Sequence, residues 1–169
     1  FTHFPKDTSC LVCRACKVTR AQCRQKSPAP PDDLPKPEKS AVAITGDHTF
    51  LNKDHADQTI EKLVLILPDS ATKWEQAYPC KTKSIEETTM CLKRFLGPQT
   101  QCKHAYTDGS AELEGALAEL DILHDSSTPY RPETNGVIER AVRRIKEGTS
   151  CALVQSGLAE EWWPWAVQC

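Results

Sequence analysis

Ser127-Thr-Pro-Tyr-Arg-Pro-Glu-Thr-Asn-Gly-Val-Ile-Glu-Arg140 joins two kinds of backbone. Pro129 and Pro132 fix their own φ and lack a donor N–H, so the polar stretch 125–135 reads as a loop. Beyond Thr134, Ile138, Val142, Ile145 and Leu153 fall on one stripe, and this period predicts a long helix over 134–154. Glu139 lies off the stripe. Arg143 and Lys146 follow it at i+4 and i+7, so the carboxylate faces away from the core among basic groups.

Upstream, 41–44 reads as a buried strand ending near Asp47, and 63–67 as a second, closed by the turn Pro68-Asp69-Ser70. A third, weaker strand falls at 74–78. Ser84 followed by Glu87 is a capping box, and it opens a helix with Ile85, Thr88, Leu92 and Phe95 on its inner face, stopped by Gly97-Pro98. A short strand over 104–107 ends at Asp108. A helix with Leu113, Ala116, Leu117 and Leu120 inward follows, and then a strand at 122–124. A last helix over 159–167 carries Trp162, Trp163 and Trp165, which pack a core or an interdomain contact more readily than they stack on bases. The order β-β-β-α-β-α-β-α-α predicts an α/β fold, a mixed sheet with helices packed on it.

The 169 residues are 39% hydrophobic and 26% charged, which suits one globular domain with a small appendage and excludes wholesale disorder. The longest apolar run, 63–67, is far short of the roughly 20 residues that cross a bilayer, so no membrane partner is expected. Net charge is −2, without the broad positive field of a typical nucleic-acid binder, yet basic side chains concentrate in 1–27 and 131–148. The prolines of 27–39 make that stretch a linker between a Cys-rich head, 1–26, and a body, 40–169. A chain opening at Phe1 and stopping at Cys169 after a Trp-rich stretch reads as a piece of a longer polypeptide.

Open α/β folds place reacting groups at the carboxyl ends of strands, where Asp47 and Asp108 fall. Two neighbouring carboxylates repel unless a cation lies between them. With Glu139 as third member, two strands and a helix supply a set suited to two Mg²⁺ ions about 3.5–4 Å apart, the arrangement of phosphodiester chemistry. On pattern alone the bland reading is the stronger: strand-terminal aspartates usually cap turns, and Glu139 with Arg143 makes an ordinary surface pair. Asp121 and Asp125 compete as ligands. His48, His104 and His124 read as local hydrogen-bonding groups.

The stretch 127–140 resembles the hallmark segment of retroviral and retrotransposon integrases, in which a proline-containing loop and Asn-Gly lead into the helix bearing the catalytic glutamate. Ala43-Ile-Thr-Gly-Asp-His-Thr49 is similar to the first strand and first aspartate of that family, and Tyr106-Thr-Asp-Gly-Ser110 to its second. The resemblance covers about 40–155, and 157–166 looks like the copia-type continuation. It implies a ribonuclease-H-like, mixed five-stranded sheet and an enzyme, a polynucleotidyl transferase with endonuclease activity that joins element DNA ends to target DNA. Its catalytic, metal-holding residues are then Asp47, Asp108 and Glu139, with Mg²⁺ or Mn²⁺. Asn135 with Gly136 meets DNA, while Arg140, Arg143, Arg144 and Lys146 hold phosphates. The implied partners are DNA and further copies of the chain, and the implied compartment is the nucleus. Two departures stand out. Asp108 is followed directly by Gly109 where the family has an intervening Asn, and Asp108 and Glu139 are 31 positions apart, about a helical turn short of the retroviral pattern. A catalytically decayed DNA-binding module, and a nuclease or transposase on the same fold, stay open as alternatives.

In the head, Cys10 and Cys13 form a CxxC knuckle whose thiolates reach one ion at about 2.3 Å. They resemble the Cys half of the His-His-Cys-Cys zinc module that precedes the integrase core, with its histidines upstream. A self-contained Zn²⁺ site using Cys16, Cys23 or His3, and reduced cysteines without metal, are the other readings.

Overall fold

The computed structural model describes residues 3–17, 39–51, 60–126 and 132–168, with the backbone alone for 132–135. The linker read over 27–39 falls outside them up to position 38, as do Cys23 and most of the loop before the long helix. A short helix α1 (Leu11–Cys16) precedes β1 (Ala43–Thr49), β2 (Leu63–Pro68) and β3 (Glu75–Cys80). Then follow α2 (Ile85–Leu96), β4 (His104–Thr107), α3 (Ala111–Glu119), β5 (Leu123–Ser126) and α4 (Pro132–Ser156). A 3₁₀ turn, Glu160–Trp162, leads into α5 (Trp163–Ala166).

The five strands form one mixed sheet in the order β3-β2-β1-β4-β5. β1 to β3 pair antiparallel as a meander, while β4 and β5 join parallel to β1 through helical crossovers. Every residue of β2 is buried because both faces of the sheet are covered, which is why its sequence is an unbroken apolar run. Leu63, Leu65 and Leu67 enter one cluster with Ile44, Leu92, Leu113 and Leu117, beneath α2 and α3. Val64 and Ile66 enter the other with Ile138, Ala141, Leu153 and Trp163, beneath α4 and α5.

Several expectations shift. β1 does not stop near Asp47 but runs on to Thr49, because Asp47, His48 and Thr49 keep pairing with Ile66, Leu65 and Val64. The Ser84 hydroxyl does cap α2, accepting from the Glu87 N–H at 3.2 Å, but the Glu87 carboxylate turns to the backbone N–H groups of Lys81 and Thr82 instead of closing the box. α2 buries Thr88, Thr89, Cys91 and Leu92, while Ile85 is half exposed over Gly115. The helix expected over 159–167 breaks in two, a 3₁₀ turn and α5, with Pro164, which cannot donate, in the first turn of α5.

Gly46 lets the cluster beneath α2 and α3 pack closely against β1. A Cβ there would stand 3.0 Å from Leu67 Cδ2 and 3.6 Å from Leu113 Cδ2. Gly46→Val is therefore expected to lower stability by about 1–3 kcal/mol through overpacking, read as a lower urea midpoint with an unchanged slope.

Candidate active site

The parallel pairing of β1 with β4 aligns Gly46 with Thr107, so Asp47 of β1 and Asp108, the first residue beyond β4, come next in the two chains. Ile44 faces the α2/α3 cluster, and the alternation of the pleat turns Asp47 to the opposite face, that of α4. Gly109, at φ +76, turns the chain immediately after Asp108, a conformation that L side chains rarely adopt. The Asp108 carboxylate accepts from the Ser110 N–H at 3.3 Å.

The two aspartates feel each other. Burial, and next the charge of Asp108, push Asp47 up to about 6, against the backbone N–H of His48 and the cations Lys83 and Lys146. A half-buried carboxylate raised by the charge of a second one is a donor set that gains from a cation. Hard oxygen donors of this kind fit Mg²⁺ or Mn²⁺.

Glu139 lies exposed on α4, which packs against β1 and β2. Among the described residues no set of three carboxylates brings its oxygens within 4.8 Å of one another, so Glu139 does not close on the two aspartates to that distance. Asp47 and Asp108 are thus brought together by the sheet, while Glu139 is carried by a separate helix.

The basic residues of α4 divide by role. Lys146 is half-buried and acts on Asp47. Arg143 donates to Glu147 at 2.8 Å, one turn on. Arg144 forms a two-pronged ion pair with Glu75 of β3, its Nε 3.0 Å from Oε2. Arg140 is exposed, and the Asn135 side chain lies outside the described residues.

Three histidines, His48, His104 and His124, lie within hydrogen-bonding distance of nearby side chains. His48 faces α2, 3.3 Å from the Thr88 hydroxyl, and burial followed by the charge of Lys83 hold it neutral, down to about 4. His104 pairs with Asp125 at 2.8 Å and His124 with the Thr107 hydroxyl at 2.7 Å. Trp163 is buried, whereas Trp162 and Trp165 are exposed with ring centroids 5.1 Å apart. Sequence reasoning missed Lys83, which pairs with Glu112 at 3.5 Å and acts on Asp47. Its only signal was its place just before the α2 cap.

In the head, His3 joins Cys10 and Cys13. Their ligand atoms all lie within 4.8 Å of one another, with His3 Nδ1 3.6 Å from Cys10 Sγ and 3.4 Å from Cys13 Sγ. The backbone N–H of Cys13 and then that of Val12 hold the Cys10 thiol below its ordinary range, which favours the thiolate that metals take. His3 was the less certain ligand in the sequence because seven residues separate it from Cys10; its left-handed backbone, φ 55, brings the ring back. Cys16 stands apart from this group, against Cys151 of α4.

No family model matches the chain. Over 108 residues, 60% of its length, it is 32% identical to the retrovirus-related Pol polyprotein from transposon RE2 of Arabidopsis thaliana. Over 165 residues, 94% of its length, it is 26% identical to the corresponding polyprotein from transposon RE1 of the same plant. The chain spans 7% and 10% of these two relatives. Its fold is similar to the catalytic core domain of BIV integrase (TM-score 0.53, 18% identity, 75% of this chain and 78% of that one). It is also similar to a chain of the simian T-cell lymphotropic virus intasome solved with PP2A regulatory subunit B56 gamma (TM-score 0.60, 21% identity, 86% and 54%).

Proposed function

We propose that this chain, a relative of the retrovirus-related Pol polyproteins of transposons with the fold of a retroviral integrase core, is the catalytic core of a retrotransposon integrase. The observation that carries the reading is the meeting of Asp47 of β1 and Asp108, the first residue beyond β4, at the end of a parallel strand pair, on a sheet packed against the helix that holds Glu139. These three carboxylates would hold Mg²⁺ or Mn²⁺, which when bound would supply the Lewis acidity that activates an attacking oxygen and stabilises the leaving one. The protein's own part is positional. The sheet fixes the two aspartates, α4 presents Glu139, and Lys146 with Arg140 and Arg143 offers positive charge to DNA phosphates along the same helix. Arg144, engaged with Glu75, braces the helix instead.

The reading includes joining of element ends to target DNA, further copies of the chain as partners, and action in the nucleus, where target DNA lies. The BIV and simian viral neighbours, an integrase core and an intasome chain, support it at the level of fold. Among the described residues no helix is long and apolar enough to cross a membrane. In the head, His3, Cys10 and Cys13 hold Zn²⁺, a borderline-soft ion suited to sulfur and imidazole.

Calorimetric titration with Mn²⁺, after the head has been saturated with Zn²⁺, tests the reading. Binding is expected in the unaltered chain and its loss in Asp47→Asn/Asp108→Asn. An unaltered chain that takes up no Mn²⁺ and joins no DNA ends is the decayed, DNA-binding module instead.

A further inference from the structure

The two ring nitrogens of His3 face different parts of the molecule. Nδ1 turns to the sulfurs of Cys10 and Cys13, while Nε2 lies 2.8 Å from Oε1 of Gln155, in the last turn of α4 and 152 residues away. A cation on Nδ1 leaves the ring proton on Nε2, where it donates to the Gln155 carbonyl oxygen. That bond fixes the tautomer and the orientation of the ligand.

The contact is broader than one bond. The Phe4 ring is 3.7 Å from where a Cβ on Gly148 would stand, and the Cys16 thiol meets that of Cys151. Lys17, almost wholly buried, donates to the His3 carbonyl and holds its ammonium 3.3 Å from the centroid of the Phe4 ring. The head therefore lies along the stretch 148–155 of α4.

We propose that Gln155 is a positioning residue for the head's cation site, and that a cation held by His3, Cys10 and Cys13 fastens the head to the C-terminal half of α4. This rests on the reading of the head as a metal site. Coupling is reciprocal: whatever affinity the cation gains from Gln155, the α4 contact gains in stability from the cation.

The test uses the whole chain, stripped with a chelator and titrated with Co²⁺, whose thiolate charge-transfer absorption reports binding. Gln155→Leu, at an exposed position, is expected to fold as the parent does and to bind Co²⁺ about 10–100-fold more weakly. Gln155→Glu, which keeps an acceptor, is expected to bind as tightly as the parent. Amide hydrogen exchange over 145–156 is expected to slow when Zn²⁺ is added to the parent, and to slow far less in Gln155→Leu. An unchanged Co²⁺ affinity in Gln155→Leu, or an equal loss in Gln155→Glu, overturns the positioning role. Exchange in α4 that ignores Zn²⁺ overturns the fastening. A parent chain that shows no thiolate–cobalt absorption overturns the metal reading of the head itself, and this inference with it.

Discussion

Glu139→Gln is expected to reduce single-turnover joining of DNA ends by at least roughly 10²–10³-fold, the scale of removing one preorganised electrostatic group from an active site. The substitution keeps shape and helix propensity and deletes only the charge that a hard cation needs. DNA affinity should stay equal or rise slightly, since a negative charge leaves an exposed helix face. Lys146→Ala serves as the contrast. It removes a positive charge offered to DNA phosphates, so binding should weaken across all sequences and the salt slope should fall by about one unit. The assays are DNA binding over a salt series and joining in Mg²⁺. Glu139→Gln joining ends at the parental rate would remove the glutamate from the metal set.

The largest expected loss of stability lies away from the chemistry, at Asp69. This carboxylate is 2% exposed. It accepts from the Ala41 N–H and the Thr72 N–H at 2.8 Å each, and from the Thr72 hydroxyl. It thus ties the end of β2 to the approach of β1, where Ile44 and Asp69 also bridge. Asp69→Ala strands two backbone donors, and we expect a cost of about 3–5 kcal/mol by urea unfolding. Asp69→Asn keeps an acceptor and should cost less. Burial pushes the Asp69 carboxyl up, but hydrogen bonds from Thr72, Ala41 and Ala71 outweigh it and hold the group below its ordinary 3.8. The unfolded chain then binds the proton more readily. This contribution is complete above about pH 5 and is lost as pH falls through the folded value, so the parent should lose more stability on that acid limb than Asp69→Asn does.

The strands that sequence reading placed best are those whose burial writes itself into composition. β2 is apolar throughout because both its faces are covered, and β4 matches residue for residue. β1 was cut short because Asp47, His48 and Thr49 look like the polar end of a strand, and only the partner β2 shows that pairing continues. The inner face of α2 was misjudged at Thr89, whose hydroxyl is satisfied by Glu119 of α3 at 2.8 Å, a contact no local period contains. The neighbourhood of the two aspartates was legible because a polar break in an apolar strand and an Asp-Gly turn mark them. The neighbourhood of His3 with Cys10 and Cys13 was not: it depends on a left-handed backbone at His3 that its own residue type does not announce.

The clasp of Arg144 on Glu75 also sets an angle. Arg144 is five residues beyond Glu139, about 7.5 Å along the same axis. A carboxylate carried some 6 Å from that axis sweeps roughly 2 Å for every 20° the helix rolls. Active sites lose about 10²-fold for a misplacement of about 1 Å. The rotational phase of α4, and with it the direction of Glu139, is therefore registered in part by a residue on the outermost strand, at the far edge of the sheet from β5. Under the proposed function, drift at Glu75, a position with no chemical part, would detune the reaction as surely as drift among the proposed ligands.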